Sequence, residues 1–372
     1  MFLYGMTPGG KGRKKMKARH LIDSRDYSVE EIKELCASAA QIKNNLDDYS
    51  DACRTKIMAT LFYEPSTRTQ LSFQTAMLRL GGKVIGFSDA SSSSVSKGES
   101  LRDTVKIVSG YSDITVIRHP VEGAAYAASL YSRTPVINAG DGGHQHPTQT
   151  LTDLFTISLS KGSPDGLTVG LCGDLLNGRT VHSLINVLLR YSVKEIILIS
   201  TEELKIPEYL KAQIVMKGIK YTETGDLEEV IPYLDVLYMT RIQKERFRSV
   251  EQYEQQSGVF VLTKKKLERA KKDLLILHPL PKVDEIDYDV DDDPRAMYFE
   301  QAENGMYIRM ALVLELLKNK KNSGHPVYEA AGHRYCTNPR CISNHEKYLP
   351  KLTYNEETVE KTHCVYCDAV IQ

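Results

Sequence analysis

The sequence predicts an α/β protein with two domains on largely parallel sheets, followed by a small cysteine-rich module. Three observations carry this expectation. From about residue 55 to 320, short runs rich in Val, Ile and Leu alternate with stretches at helical spacing, the pattern of strands buried on both faces by crossover helices. Gly, Asp and Pro accumulate at 139–148 (AGDGGHQHPT), between a strand and the next helical stretch, and mark an interdomain boundary. Four of the seven cysteines, Cys336, Cys341, Cys364 and Cys367, crowd into the last 37 residues.

In chain order, the N-terminal stretch MFLYGMTPGGKGRKKMKARH places its apolar residues before its charges, the reverse of a secretory signal, and reads as a flexible basic tail. Strands are expected at 57–62, 83–87, 114–118 and 135–138 before the boundary, and at 167–172, 196–200, 235–239 and 274–277 after it. Buried helix fragments fit such short runs as well, because periodicity alone does not separate the two. A last helix follows residue 303 and ends in Lys, Asn, Ser and Gly, and 320–332 reads as a linker. The acidic run 287–293 reads as a solvated loop, with cation binding as the alternative.

A chain of 372 residues exceeds one ordinary hydrophobic core. Its hydrophobic share of 41% and charged share of 26% are those of a soluble globular protein. The 48 basic residues balance 48 acidic ones, which argues against a nucleic-acid coat or a membrane-surface protein. No apolar run approaches the roughly 20 residues of a membrane helix. A small-molecule partner is therefore expected, with no nucleic acid and no membrane.

The spacing of Cys336, Cys341, Cys364 and Cys367 gives two close thiol pairs on separate turns, able to close a tetrahedral, structural Zn²⁺ site. Four thiolates leave no open position for catalysis, and they make His333, His345 and His363 unnecessary as ligands. Clustered metal-type cysteines point to a reducing compartment, with cytoplasm the default. Cys36, Cys53 and Cys172 read as buried structural thiols.

Candidate chemistry begins at EPSTRT, residues 64–69, between an expected strand and a helix whose buried face carries Phe73, Met77 and Leu80. Such a turn offers unpaired amides and the positive end of the helix dipole. Ser66, Thr67 and Thr69 add hydroxyl donors, and the guanidinium of Arg68 can bind a phosphate through two parallel hydrogen bonds. Simple helix capping by Ser or Thr fits the same residues. Arg118-His119-Pro120 ends the strand 114–118, and the boundary loop carries His144-Gln145-His146-Pro147-Thr148-Gln149. Both place donors at strand ends, where ligands bind in open α/β sheets.

STRT with a following Phe, then RHP, then HPTQ, resembles the carbamoyltransferase family, over about residues 20–318. The resemblance implies two doubly wound parallel-sheet domains of the carbamoyltransferase type plus a small C-terminal zinc-binding β domain. The implied organisation is a tail at 1–19, a carbamoyl-phosphate domain at 20–147 completed by the helix 303–319, an aspartate domain at 148–302, the linker 320–332 and the zinc domain 333–372. The resemblance assigns Ser66, Thr67, Arg68, Thr69, Arg118, His146 and Gln149 to carbamoyl phosphate.

The acceptor is read from the second half. Arg179 and Thr180 lie in GDLLNGRTVHS, and Arg241 and Gln243 in YMTRIQKER, each after an expected strand. Two guanidinium groups suit an acceptor with two carboxylates, although each arginine also fits a structural cap or a surface ion pair. Both segments closely resemble those of aspartate carbamoyltransferases, which implies Arg179, Thr180, Arg241 and Gln243 as the L-aspartate site. His278-Pro279-Leu280-Pro281 stands where ornithine carbamoyltransferases generally carry His-Cys-Leu-Pro, which also favours aspartate. By the same resemblance the backbone of Leu280 and Pro281 holds the reactive amine and the carbamoyl nitrogen; an ordinary Pro-fixed turn is the alternative.

The Ser-rich stretch at 91–96 and the residues after it resemble the family's mobile loop, which enters the neighbouring subunit's active site. That implies Lys97, at both substrates, with Ser94 or else Ser93 beside it, and a trimer or pair of trimers with shared sites. A bland solvated loop is the other reading. The implied catalytic set is Arg68, Thr69, Lys97, Arg118 and His146, and the implied reaction is an early step of de novo pyrimidine biosynthesis.

The tail 333–372 resembles the zinc domain of the aspartate carbamoyltransferase regulatory chain. In the family an effector-binding domain lies N-terminal to it, and the span between Lys320 and Cys336 is too short for one, so little response to ATP or CTP is expected. A nucleic-acid-binding ribbon would need a basic footprint, whereas 333–372 holds five Lys or Arg and five Asp or Glu. The unbroken STRT, RHP, HPTQ, GRT and MTRIQ residues argue against a degenerate, non-enzymatic scaffold.

Overall fold

The structure, a computed structural model, describes residues 20–242, 249–256, 258–318, 335–356 and 361–371. The basic tail 1–19 and the linker 320–332 lie outside the described residues. The chain divides into two compact units.

The first unit is built on Gln41–Pro147 together with the described parts of Met1–Ser28 and Arg309–Gln372. Its sheet contains β1 (Ile57–Phe62), β2 (Lys83–Phe87), β3 (Ile114–His119) and β4 (Val136–Asp141). All pairs are parallel, in the order β2-β1-β3-β4. The unbroken apolar runs of β1 and β3 follow from this order, since both strands are paired on each side and buried on both faces. The order reverses between β1 and β3, where Phe62 stands opposite Arg118. A reversal of this kind opens a crevice at the strand C-termini.

The second unit combines Val29–Ala40 with Thr148–Ile308. Its strands are β5 (Thr168–Cys172), β6 (Glu195–Ile199), β7 (Lys220–Thr224), β8 (Val236–Met239) and β9 (Leu275–Leu277), all parallel, in the order β7-β6-β5-β8-β9. Here the order reverses between β5 and β8. The strand β7 was absent from the sequence expectation. Its residues, KYTET, form an edge strand held by polar cross-strand contacts: Lys220 Nζ and the Thr222 hydroxyl donate to Glu195 at 3.0 and 2.8 Å.

Two helices cross the sequence-based boundaries. Residues 29–40 group with the second unit rather than with 20–147, because the buried face of the helix Val29–Asn44 turns Cys36 toward Ser158. The last helix starts earlier than expected and spans Tyr298–Lys318. Within the first unit its Arg309 donates to the Ser72 hydroxyl at 3.1 Å and lies over the Phe73 ring, which ties it to the helix Thr67–Arg79.

The C-terminal module folds as an antiparallel sheet of β10 (Thr353–Glu356), β11 (Lys361–Cys364) and β12 (Val370–Ile371) and belongs to the first unit. Its apolar side joins the core formed by the helices Leu101–Tyr111 and Ala124–Ser129. Four alanines of the second helix, Ala124, Ala125, Ala127 and Ala128, are buried there. Small side chains on this face let the module approach the helix backbone closely. Glu122 completes the seam: its carboxylate accepts from Asn338 Nδ2 at 2.6 Å and pairs with Arg340 Nε at 3.1 Å. Its backbone exchanges hydrogen bonds with Arg340 and Ile342.

Gly123 is the tightest point of this contact. It adopts φ +81°, and a Cβ there would sit 2.5 Å from the Tyr366 carbonyl oxygen. Gly123→Ala therefore combines left-handed strain with a backbone clash, and we expect it to cost about 2–5 kcal/mol. Urea unfolding followed by circular dichroism reads this as a lower midpoint; an unchanged midpoint would mean that the module tolerates displacement from the helix.

Candidate active site and metal centre

In the first unit the candidate residues gather at the C-terminal ends of β1, β3 and β4. Tyr63 N donates to Arg118 O at 2.8 Å, joining the turn after β1 to the end of β3. Arg118 is held from both sides, by Glu64 Oε1 at 2.8 Å and by the Ala139 carbonyl at 3.2 Å. Ser66 precedes the helix Thr67–Arg79, yet its side chain makes no capping hydrogen bond, so the capping alternative does not account for it. Thr67 and Arg68 are exposed at the helix N-terminus, beside amides that the helix itself leaves unpaired. His119 of the RHP run has a different job. Burial pushes its pKa down to about 4 against the pull of Asp141, and its Nδ1 accepts from Val121 N at 3.0 Å, which fixes the turn after β3.

His146 is buried and immediately precedes Pro147, the first residue of the helix Pro147–Lys161. The loop leading to it is organised by Asp141, a residue the sequence reading did not single out. Asp141 Oδ1 accepts from Gln145 N at 3.0 Å and from Asn138 Nδ2 at 3.1 Å, while Oδ2 accepts from Gly123 N at 2.8 Å and faces His144 Nδ1 at 3.1 Å. His144 Nε2 in turn lies 3.2 Å from Asp368. Burial opposes the charged form of His144, but the two carboxylates outweigh it and raise its pKa well above the ordinary 6.5.

Ser94 and Lys97 sit exposed in the short turn Ser94–Lys97, ahead of the helix Leu101–Tyr111. The Ser93 hydroxyl is engaged locally, donating to Ala90 O at 2.8 Å and accepting from Val95 N at 3.3 Å.

In the second unit the acceptor candidates line the reversal point between β5 and β8. Arg179 opens the helix Arg179–Leu188, and Thr180 follows it; both are half-buried. Arg241, also half-buried, stands two residues beyond β8. Gln243 lies outside the described residues. Gln149 belongs to this unit, and its amide nitrogen donates to Asp153 at 2.7 Å. Asp153 is a buried hub that also accepts from Tyr238 Oη at 3.0 Å and Gln301 Nε2 at 2.6 Å.

The turn carrying Leu280 and Pro281 is held by a second residue that the sequence did not flag. Glu285 Oε1 meets His278 Nε2 at 2.7 Å, and His278 Nδ1 accepts from Leu280 N at 2.8 Å. Glu285 Oε2 accepts from Val283 N and Asp284 N, each at 3.1 Å. Leu280 has φ +50°, and its bond to Pro281 is cis. Burial works to raise the Glu285 pKa, but the His278 contact and the backbone amides outweigh it and hold it below its ordinary 4.5. A depressed carboxyl gives stability that is present above the unfolded pKa and lost as pH falls through the folded one. We therefore expect the parent to lose stability below pH 4.5 more steeply than Glu285→Gln, in urea titrations run at successive pH values; parallel pH profiles would count against this linkage.

The four module cysteines are buried, and their sulfurs all lie within 4.8 Å of one another. Cys336 and Cys367 are 3.6 Å apart and Cys341 and Cys364 are 3.7 Å apart. These separations are far longer than a disulfide bond of about 2.05 Å. They match the edge of a tetrahedron with metal–sulfur bonds of about 2.3 Å, so the residues fit a bound metal ion. Two candidate histidines are engaged elsewhere, His345 Nε2 with Pro339 O and His363 Nδ1 with Asp368 O, both at 2.9 Å. His333 lies outside the described residues.

Three domain families match in succession. Residues 19–158 match the aspartate/ornithine carbamoyltransferase carbamoyl-P binding domain, residues 165–316 the Asp/Orn binding domain, and residues 331–372 the aspartate carbamoyltransferase regulatory chain metal binding domain. The aspartate carbamoyltransferase catalytic subunit of Clostridium novyi is 59% identical over 302 residues, 81% of this chain and 99% of the relative. The chain belongs to the aspartate carbamoyltransferase family.

The catalytic subunit of M. jannaschii aspartate transcarbamoylase superposes with a TM-score of 0.78 at 48% identity, over 82% of this chain and all of that one. Aspartate transcarbamoylase from Trypanosoma cruzi, solved in complex with carbamoyl phosphate and aspartate, has a TM-score of 0.75 at 39% identity, over 80% of this chain and 97% of that one. This aspartate carbamoyltransferase family member thus carries the catalytic domains and a regulatory-chain metal-binding domain in one polypeptide.

Proposed function

We propose that the chain transfers the carbamoyl group of carbamoyl phosphate to the amine of L-aspartate, giving N-carbamoyl-L-aspartate and phosphate, as an early step of de novo pyrimidine biosynthesis. This reading is supported by the uncapped Ser66 turn after β1, Arg118 in β3 and the His146 loop after β4, all at the strand C-termini of one parallel sheet, in a chain of this family. The T. cruzi relative solved with both carbamoyl phosphate and aspartate supports the substrate pair.

The neutral amine of aspartate attacks the carbonyl carbon and forms the new C–N bond. The tetrahedral intermediate then collapses with cleavage of the C–O bond to phosphate, which leaves with the electron pair and accepts the amine proton. No covalent enzyme intermediate is required. Ser66, Thr67 and Arg68, with Gln149, Ser94 and Lys97, hold the phosphate. Thr69, Arg118 and His146 donate to the carbonyl oxygen as it gains charge. Arg179, Thr180, Arg241 and Gln243, with Lys97, hold the aspartate, and the backbone of Leu280 and Pro281 orients the amine. Positioning of two bound reactants contributes up to about 7–11 kcal/mol to the barrier reduction in favourable cases.

Lys97 and Ser94 act in a neighbouring subunit's site, so the working enzyme is a trimer or a pair of trimers. Zn²⁺ is held by Cys336, Cys341, Cys364 and Cys367, where it supplies cohesion to the module. The chain works in the cytoplasm and responds little to ATP or CTP.

The test is carbamoyl transfer to L-aspartate and to L-ornithine, side by side at equal enzyme concentration. Turnover with aspartate alone is expected. Turnover with ornithine alone would keep the phosphate half of the site and discard the assignments of Arg179, Arg241 and Gln243, and silence with both would overturn the enzymatic reading.

A further inference from the structure

The cysteine module reaches two segments of the first unit that carry candidate catalytic groups. On one side it caps the helix Leu101–Tyr111, which begins four residues after Lys97. Glu346 Oε1 accepts from Leu101 N at 3.0 Å and the Tyr348 hydroxyl accepts from Arg102 N at 2.9 Å. These are the first two amides of the helix, which lack a preceding helical turn to accept from them; the N-cap Ser100 hydroxyl accepts from Asp103 N instead. The Arg102 guanidinium lies 4.5 Å over the Tyr348 ring and covers the same junction. At a second contact, Asp368, adjacent to Cys367, lies 3.2 Å from His144 Nε2. The path continues through His144 Nδ1 to Asp141 at 3.1 Å and from Asp141 to Gln145 N at 3.0 Å, next to His146. Arg25 pairs with Asp368 and also with Asp23, at 2.6 Å, which anchors the outer end of the path.

We propose that the module is an intrachain brace on catalysis, in which Asp368 and Glu346 act as positioning residues for the loop that carries His146 and the turn that carries Lys97. The inference rests on the roles given above to His146 and Lys97. Its physical basis is that loops are the most easily displaced parts of an α/β crevice, whereas a four-thiolate centre is rigid once metallated. A donor moved by a fraction of an ångström from the developing charge loses much of its effect. In this arrangement the metal touches no substrate, yet the loops inherit its rigidity through carboxylates one to five residues from a cysteine, Asp368 beside Cys367 and Glu346 five after Cys341.

The test uses the full-length, metal-loaded chain and the variants Asp368→Ala, Asp368→Asn, Glu346→Ala, His144→Ala and His146→Ala. Three quantities are read: kcat and KM for each substrate, metal content, and amide exchange by mass spectrometry over 94–103 and 141–147. Asp368→Ala is expected to lower kcat about 10–100-fold, the scale of misplacing a reacting group by up to about an ångström, with full metal content and faster exchange confined to 141–147. Asp368→Asn, which keeps an acceptor for His144, recovers most of the rate. Glu346→Ala raises KM for carbamoyl phosphate and speeds exchange at 94–103 alone. Should Asp368→Ala lose its metal, His144→Ala breaks the same link from outside the module and must show the same fall in kcat. Parental kinetics in His144→Ala and Glu346→Ala, beside an inactive His146→Ala, overturn the brace alone, whereas parental activity in His146→Ala overturns the site reading beneath it.

Discussion

Replacing His146 with alanine is expected to lower kcat on the order of 10²–10³-fold, the usual effect of removing one well-placed donor to a developing oxyanion. KM for both substrates changes little, because an interaction made only in the transition state lowers kcat and kcat/KM together. The shape of the pH–rate profile is the more informative readout. His146 is assigned as a neutral donor, with the departing phosphate taking the amine proton, so the profile keeps both limbs at reduced height. Loss of the basic limb in His146→Ala would instead make this histidine the general base. The His146 side chain is buried, is followed directly by a helix, and ends a loop whose backbone hangs on Asp141.

Removal of the metal has the second large effect. Sulfurs at 3.6 and 3.7 Å in a buried cluster stand at the spacing that a bound ion would hold. Metal binding in small structural sites is worth about 10–16 kcal/mol, and most of that is folding energy for the domain around it. Treatment with a chelator, or Cys364→Ser, is therefore expected to unfold the module and uncover the alanine face of the helix Ala124–Ser129. Metal release followed with a chromogenic chelator should coincide with dye binding to exposed apolar surface and with a lower melting temperature. A chain that gives up its metal while keeping its melting temperature would mean that the cysteine cluster is held by its packing alone.

Much of the fold could be read from local pattern. The strands Ile57–Phe62 and Lys83–Phe87 coincide with their expected ranges, and the remaining apolar strands begin or end within a few residues of theirs. A strand buried on both faces needs an uninterrupted apolar run, so its record in the sequence is direct. Lys220–Thr224 escaped for the converse reason: an edge strand is partly solvated and carries polar side chains that pair across to Glu195. The cysteine spacing was equally legible, because metal ligands must sit on tight turns and leave a fixed signature.

Local pattern along the chain was enough for the α/β class, the two strand–turn–helix units that carry Arg68 and Arg179, the order of the motifs and the four-thiol cluster. Which surface the cysteine module covers, and which polar groups reach the candidate site from a distance, depends on contacts between remote segments. Asp368 and His144 are 224 positions apart, Glu122 and Asn338 are 216 apart, and Glu346 lies 245 positions from the amide it caps. Local periodicity records that a face is buried and a turn is tight. It does not record what buries the face, and a carboxylate acquires its partner only when two remote surfaces meet and exclude water between them.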